Sequence, residues 1–138
     1  MNNIFILDAC AVLAELSDEE GAEVIDDFYK RALDNRIFLM INKVNLLEVY
    51  YDAMRTYGKD RALKCYNNIR NSHILVINEI TDDIFFEAGR LKAAYKISLA
   101  DSIALAQALV LRGTLLTADH HEFDIIEKQE NINFHWIR

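Results

Sequence analysis

Four acidic residues stand where apolar segments of the chain end or begin. Asp8 directly follows the apolar run IFIL, and Asp119 lies two residues beyond TLLT. Glu48 falls one to two turns into the helix expected after IFLMI, and Asp101 is the third residue of an alanine-rich helix with Ser98 at its cap. In open α/β sheets, sites form beyond the carboxyl ends of the strands. All four acids therefore have a route to one edge of a sheet.

Taken singly, each acid has an ordinary structural explanation. The S-x-x-D sequence ending at Asp101 is a capping box, Glu48 suits a solvated helix face, and Asp8 and Asp119 suit turns at strand ends. Four acids at one edge, however, would repel one another unless a cation neutralised them. Hard divalent cations such as Mg²⁺ prefer carboxylate oxygens. A pair of such ions can activate water and stabilise the leaving oxygen of a phosphodiester, which requires no His, Ser or Cys nucleophile.

Apolar runs alternate with helical patterns along the whole chain, which indicates a doubly wound α/β fold with a mostly parallel sheet and helices on both faces. With no proline and only four glycines, nothing divides residues 1–138, so we predict one domain. Thr81 is an expected helix cap and Gly113 an expected helix stop. The predicted strands are 4–7, 37–41, 74–77, 114–117 and 133–137. The predicted helices are 9–16, 18–35, a segment from an Asn42 or Asn45 cap to about Tyr57, 59–71, 82–96 and 99–113.

Composition limits the possible function classes. No apolar run approaches the ~20 residues that span a bilayer, and the amino-terminal MNNIFILD has no basic region, so neither a membrane segment nor a signal peptide is expected. Two cysteines, Cys10 and Cys65, make a poor disulfide framework. We therefore expect a reduced, cytoplasmic protein.

The charge is unevenly distributed. The net charge of −7 argues against a protein that merely coats nucleic acid, and residues 15–27 hold seven acids and no base. Residues 52–70, by contrast, hold five bases and two acids. Such a local basic face can meet a polyanion, and the candidate phosphate contacts are Arg55, Lys59, Arg61 and Lys64.

Four motifs resemble, in order and spacing, those of the PIN-domain nucleases. They are ILDACAVLA (6–14), INKVNLLEV (41–49), SLADSIALAQAL (98–109) and LLTADHHEFD (115–124). The likeness covers essentially the whole chain and is strongest for small members, the VapC-type toxins of toxin–antitoxin pairs. It implies a parallel sheet of about five strands, ribonuclease activity with Mg²⁺ or Mn²⁺, a homodimer, and an antitoxin that places a segment in a groove near the active site.

The resemblance also assigns roles to residues. Asp8, Glu48, Asp101 and Asp119 match the family's metal-binding acids, and Thr117 matches a hydroxyl residue found two positions before the last acid. One position departs from the pattern: Cys10 stands where the family usually has Ser or Asn. Cysteine is a poorer hydrogen-bonding neighbour for Asp8, which affects its positioning or metal preference.

Other residues near the motifs invite functional interpretations. His120 and His121 are adjacent, and adjacent side chains on a helix point about 100° apart, so we do not expect them to share a zinc ion. We interpret Asp124 as a solvated helix residue and Cys10 as a buried small residue rather than a nucleophile. An aromatic set that follows Glu48 leaves two interpretations open, core packing or an interface; it comprises Tyr50, Tyr51, Met54 and Tyr57.

Three other functions fit an α/β fold with acids at its edge. A phospho-receiver needs paired acids after its first strand and a lysine after its last, and neither is present. A D-x-D phosphatase fails because Cys10 occupies the second acid's position. A PIN-like RNA- or protein-binding module without catalysis remains the alternative to a metal-dependent ribonuclease.

Overall fold

Five strands and seven helices lie within residues 3–138, the part of the chain that the computed structural model describes. The strands are β1 (Ile4–Leu7), β2 (Phe38–Asn42), β3 (Leu75–Ile77), β4 (Thr114–Thr117) and β5 (Asn133–Trp136). The helices are α1 (Ala9–Leu16), α2 (Ala22–Leu33), α3 (Lys43–Tyr57), α4 (Lys59–Arg70), α5 (Asp82–Ala94), α6 (Leu99–Val110) and α7 (His120–Gln129).

The strand order is β3-β2-β1-β4-β5, and the four pairings are parallel. The chain first winds outward from β1 to β3 and then returns to the other side of β1 to lay down β4. The direction of winding therefore reverses between β1 and β4, where Leu7 pairs with Leu116. In a doubly wound sheet, a crevice opens at the carboxyl ends of the two strands that flank this reversal.

Helices cover the two faces of the sheet. One buried cluster joins the strands to α1, α2, α3 and α4, with Phe28 and Ile41 among its buried members. The second joins them to α5, α6 and α7, with Leu105 and Phe123 among its buried members. The central strands therefore carry apolar side chains on both faces, as parallel strands between two helical layers require.

Side-chain caps fix where the helices begin. Asn42 caps α3 through a 2.9 Å bond from the backbone N–H of Val44 to its Oδ1. Thr81 caps α5 and Ser98 caps α6, as predicted. Asn45, the other cap candidate for α3, lies fully inside the helix and is buried. No predicted element lies between Thr117 and residue 133, where the structure has helix α7.

The predicted helix 18–35 is too long at its start. Gly21 holds φ of +97°, and α2 begins only at Ala22. A Cβ at Gly21 would also lie 2.7 Å from the carbonyl oxygen of Ile137. The prediction places the acids before Gly21 in a first helical turn. In the structure, Gly21 instead forms a sharp bend that packs against the carboxyl-terminal segment.

The helix that carries Asp101 ends earlier than predicted, and for a different reason. It stops at Val110, and Arg112 takes the left-handed conformation with φ of +54°. Gly113 is instead required by close packing, since a Cβ there would lie 3.0 Å from Cγ2 and 3.1 Å from the carbonyl oxygen of Ile4.

Two features of the described residues bear on the predictions from composition. Cys10 and Cys65 are both free thiols. Among residues 3–138, no helix is both long enough and apolar enough to cross a membrane.

Candidate metal-binding nuclease site

Asp8 lies at the carboxyl end of β1, beside the reversal point of the sheet. Its side chain is 2% exposed, and its Oδ1 accepts a 2.8 Å hydrogen bond from the backbone N–H of Ala11, which caps α1. Burial raises the pKa of Asp8 to about 7, and the negative charges of Asp101 and Asp119 add to the rise. Hydrogen bonds from Thr117 and Ala11 oppose it. Without a cation, this carboxyl therefore holds a proton close to neutral pH.

Thr117 connects Asp8 to Asp119. Its side chain is fully buried, hydrogen-bonds the carboxyl of Asp8, and accepts a 3.1 Å bond at Oγ1 from the backbone N–H of Asp119. Asp119 in turn caps α7, because its Oδ1 accepts a 3.2 Å bond from the backbone N–H of Glu122. The acids that follow the two central strands are thus held in one hydrogen-bonded unit.

Asp101 stands in the first turn of α6 and takes part in a capping box. Its backbone N–H donates to Ser98 Oγ at 3.0 Å, and its carboxyl also hydrogen-bonds Ser98. Partial burial raises the pKa of Asp101, and the charges of Asp119 and Glu122 raise it further, while Ser98 opposes the shift. The capping interpretation and the site interpretation therefore both hold for this residue.

Glu48 reaches the same group of acids from α3. Partial burial raises its pKa, and the charges of Asp101, Asp52 and Asp119 raise it further. The charges of Asp101 on α6 and of Asp119 in the turn after β4 thus act on both Asp8, at the end of β1, and Glu48, on α3.

Asn45 sets the distance between two of these elements, and the sequence interpretation missed it. It is buried, and its Nδ2 donates a 3.0 Å hydrogen bond to the carbonyl oxygen of Ala100, which directly precedes Asp101. Asn45 also lies three residues before Glu48, on the same side of α3. A polar residue at an otherwise apolar helix position, one turn before a candidate ligand, is the signal that could have identified it.

The site offers only hard donors, and its geometry is open. Within residues 3–138, no three Asp, Glu, His or Cys side chains are close enough together to hold a metal ion. The carboxylates repel one another across gaps, so direct coordination by three of them requires their side chains to move inward. Mg²⁺ often keeps several waters and binds through only one or two carboxylates, so the donor chemistry fits such an ion.

Cys10 is not a nucleophile in this arrangement. Burial raises the pKa of its thiol to about 11, and the charge of Asp8 adds to the rise, while the backbone of Ala118 and the charge of Arg138 oppose it. The thiol therefore stays protonated at neutral pH, although Cys10 is only half-buried rather than buried as predicted.

The basic residues proposed for RNA contact are all exposed, on α3 and α4. Arg55 lies seven residues after Glu48, which places both on one face of α3. Its guanidinium lies over the ring of Tyr51, 4.9 Å from the centroid, and 3.8 Å from Asp52. Arg61 lies over Tyr57 at 4.2 Å. Aromatic rings therefore pack against two of the four basic side chains that are predicted to contact RNA.

The aromatic set after Glu48 divides between packing and exposure. Tyr50 and Tyr66 make an edge contact with centroids 6.3 Å apart, and the hydroxyl of Tyr57 hydrogen-bonds Ser17 at 2.7 Å. Tyr51 is 40% exposed. Packing within the protein therefore applies to Tyr50 and Tyr57, while the interface interpretation stays a prediction for the exposed Tyr51.

The two adjacent histidines do not converge on a common point. The nitrogens of His120 lie 2.9 Å from Asp124 and 2.9 Å from the carbonyl oxygen of Arg138. His121 is exposed, and its Nε2 lies 3.9 Å from Glu122. Asp124 is exposed but bonded to His120, rather than simply solvated as we predicted.

Comparisons with known proteins identify the family of this chain. A family model described as the PIN domain matches residues 5–129. This chain belongs to the PIN domain family. The comparison with curated proteins found no match.

Solved structures share the fold of this PIN domain at low identity. A DNA-bound VapBC from Salmonella typhimurium has a TM-score of 0.70 at 18% identity and covers 100% of each chain. VapBC2 from Rickettsia felis, bound to a DNA fragment from its promoter, has a TM-score of 0.71 at 17% identity and covers 96% of this chain and 97% of its own. Mycobacterium tuberculosis VapC20, described as a toxin that cleaves the sarcin–ricin loop, has a TM-score of 0.66 at 14% identity, with 88% and 94% covered.

Proposed function

We propose that this PIN domain is a divalent-metal-dependent endoribonuclease and the toxin of a toxin–antitoxin pair. The observation that carries the proposal is the convergence of charge at the carboxyl edge of the sheet, where the charges of Asp101 and Asp119 raise the pKa of both Asp8 and Glu48. Apolar residues or paired ions at this edge would stabilise the fold better. Raised pKa values caused by burial and by neighbouring like charges, as at Asp8, Glu48 and Asp101, are characteristic of a functional site.

In the proposed reaction, the four acids hold Mg²⁺ or Mn²⁺, and Thr117 keeps the carboxyl of Asp8 in place. Bound divalent cations supply charge neutralisation and Lewis acidity for attack of water on an RNA phosphodiester. Asn45 maintains the spacing between Glu48 and Asp101 through its bond to the backbone before Asp101.

The basic residues of α3 and α4 provide the phosphate contacts in this proposal. Arg55, Lys59, Arg61 and Lys64 concentrate positive charge on a protein of net charge −7. Such a patch attracts a polyanion while the acid edge repels it, so RNA approaches productively only when cations occupy the acid edge.

The proposed partners are an antitoxin and a second copy of the chain. Support comes from the fold likeness to VapBC complexes and from surfaces that suit protein contacts. A cavity of about 710 Å³ lies between α1, α2 and α4, and several large apolar side chains of α5 and α6 are exposed, among them Phe85, Phe86 and Leu99.

One observation favours the alternative of a binding module without catalysis. The acids of the described residues are not close enough for three of them to hold an ion without movement. A module of this kind would bind RNA or protein through the same surfaces and leave RNA intact.

Incubation of the purified chain with RNA in Mg²⁺ or Mn²⁺ tests the proposal. We expect internal cleavage that stops with chelator and that is lost when Asp8, Glu48, Asp101 and Asp119 are all replaced by their amides. A control replaces four exposed acids outside the site by amides and should still cleave; these are Glu23, Asp34, Asp60 and Asp83. RNA that is bound but not cleaved by the parent chain would favour the binding module.

A further inference from the structure

A ladder of three aromatic rings lies at the carboxyl edge of the sheet, outside the acids. The rings of His120 and Trp136 are stacked with centroids 3.8 Å apart and an interplanar angle of 15°. Those of Trp136 and Phe134 are stacked at 5.3 Å and 8°. Phe134 contacts the buried Phe123 at 6.0 Å, so the ladder is anchored in the core.

The ladder is held rigidly. Trp136 donates a 3.1 Å hydrogen bond from Nε1 to Glu127. Both nitrogens of His120 are engaged, with Asp124 and with the carbonyl oxygen of Arg138. The edge of the imidazole is therefore occupied, and one of its faces rests on Trp136. Nevertheless 48% of the His120 side-chain surface is exposed, which leaves its second face to solvent.

The ladder also lies at the level of the candidate site. Trp136 pairs with Thr117 across β4 and β5, and neighbouring strands are about 4.8 Å apart. His120 directly follows Asp119. A nucleic acid with a phosphate at the acids would therefore have an adjoining base close to the open face of His120.

We propose that His120, backed by Trp136 and Phe134, is a stacking platform for one nucleobase of single-stranded RNA next to the acid edge. Flat rings held in advance bind a base without the cost of ordering them, and stacking tolerates any base because every base has a flat face. The carboxylates of Asp124 and Glu127 border the ladder, so its surroundings favour the flat face of a base over a phosphate. This inference rests on RNA being the substrate.

The test measures binding by fluorescence anisotropy in chains whose Asp8, Glu48, Asp101 and Asp119 are replaced by their amides, so that RNA stays intact and no acid edge repels it. The probes are labelled oligouridylate and an abasic ribose-phosphate oligomer of equal length, which keeps the phosphates and lacks every base. His120→Ala should weaken oligouridylate binding about tenfold, within the usual range for loss of one stacked base, and leave abasic binding unchanged. His120→Phe, which keeps a flat ring but loses both hydrogen bonds, should restore most of the oligouridylate affinity.

Two controls separate stacking from a structural role. His121→Ala removes the neighbouring exposed histidine and should change neither affinity. Asp124→Asn loosens the clamp on His120 and should have a much smaller effect than His120→Ala. The platform is refuted if His120→Ala weakens both probes equally, or if His120→Phe binds as poorly as His120→Ala. A parent chain that cleaves RNA while His120→Ala binds normally refutes the platform alone, whereas a parent chain that neither binds nor cleaves RNA refutes the ribonuclease function.

Discussion

Two groups of carboxylates in this fold have opposite surroundings. Glu130 accepts hydrogen bonds from Arg90 at 2.8 Å and from the hydroxyl of Tyr95 at 2.7 Å, and both partners lower its pKa. Asp8 is buried among other acids, and its pKa is raised. A carboxylate matched with a cation and donors contributes to stability, whereas one that is buried with like charges destabilises the chain until a cation arrives. The unpaired group is therefore the candidate for function.

The largest difference between the two groups of carboxylates is expected in their effect on catalysis. Asp101→Asn keeps the size of the side chain and most of its capping capacity but removes an anionic donor. We expect RNA cleavage to fall by more than the roughly 100-fold typical of residues that only support a metal ligand. Glu130→Gln, which removes a paired carboxylate, should cleave at the parent rate. Chelator-treated Asp101→Asn should also be as stable as the parent or more so, because repulsion among the acids decreases. Normal cleavage by Asp101→Asn would remove Asp101 from the site.

The pH dependence of stability should have opposite signs for the two groups. Between the unfolded pKa of 3.8 and the folded value of about 7, Asp8 keeps a proton that the unfolded chain releases. In chelator, the free energy of unfolding should therefore fall as pH rises through this window, by about 4 kcal/mol at most. Glu130 acts in reverse, since its contribution is present above pH 4.5 and is lost as pH falls through its lowered pKa.

Urea unfolding at several pH values measures this difference. Asp8→Asn should flatten the decline between about pH 4 and pH 7, since it removes the titrating carboxyl. Glu130→Gln should retain the decline. If Asp8→Asn shows the same decline as the parent, the buried carboxyl of Asp8 does not cause it.

Divalent cations should stabilise the acid edge and leave the paired group unaffected. At a hundredfold excess over the dissociation constant, Mg²⁺ or Mn²⁺ should raise the free energy of unfolding by ~2.7 kcal/mol. The shift should persist in Glu130→Gln and be reduced in Asp101→Asn, as read from melting temperatures with and without chelator. Equal shifts in the two variants would place the bound cation elsewhere.

The smallest expected effect is the loss of stability caused by a substitution in the paired group itself. Arg90 is 45% exposed, and partly exposed ion pairs contribute only about 1 kcal/mol or less. Glu130→Gln keeps hydrogen-bonding atoms in place, so its cost should remain about that size in denaturant unfolding at pH 7. A cost of several kcal/mol would show that pairing at Glu130 matters as much to the fold as burial does at Asp8.

Much of the fold could be predicted from local pattern. The strand runs and the caps at Thr81 and Ser98 are encoded in a few consecutive residues, and the apolar runs reflect burial on both faces. The element boundaries at Gly21 and Gly113 could not be predicted, because each glycine packs against a residue that is distant in the sequence. Gly21 packs against Ile137, and Gly113 packs against Ile4.

The residues of the site also divide into those that the sequence could predict and those that it could not. The four acids follow or begin predictable elements, so their approach to one edge could be inferred from topology. Asn45 could not be distinguished from a cap, because its role depends on the carbonyl of Ala100 on another helix. The aromatic ladder could not be predicted, because it depends on how His120 at the start of α7 packs against Trp136 on β5.

The reversal of winding between β1 and β4 also orders events in time. Asp8 is synthesised well before Asp119, and they meet only when β4 pairs beside β1. Contacts so far apart in sequence form slowly and cannot form before β4 has left the ribosome. The nascent chain therefore carries Asp8, Glu48 and Asp101 before the site can assemble, and the acid edge closes only once β4 has paired beside β1.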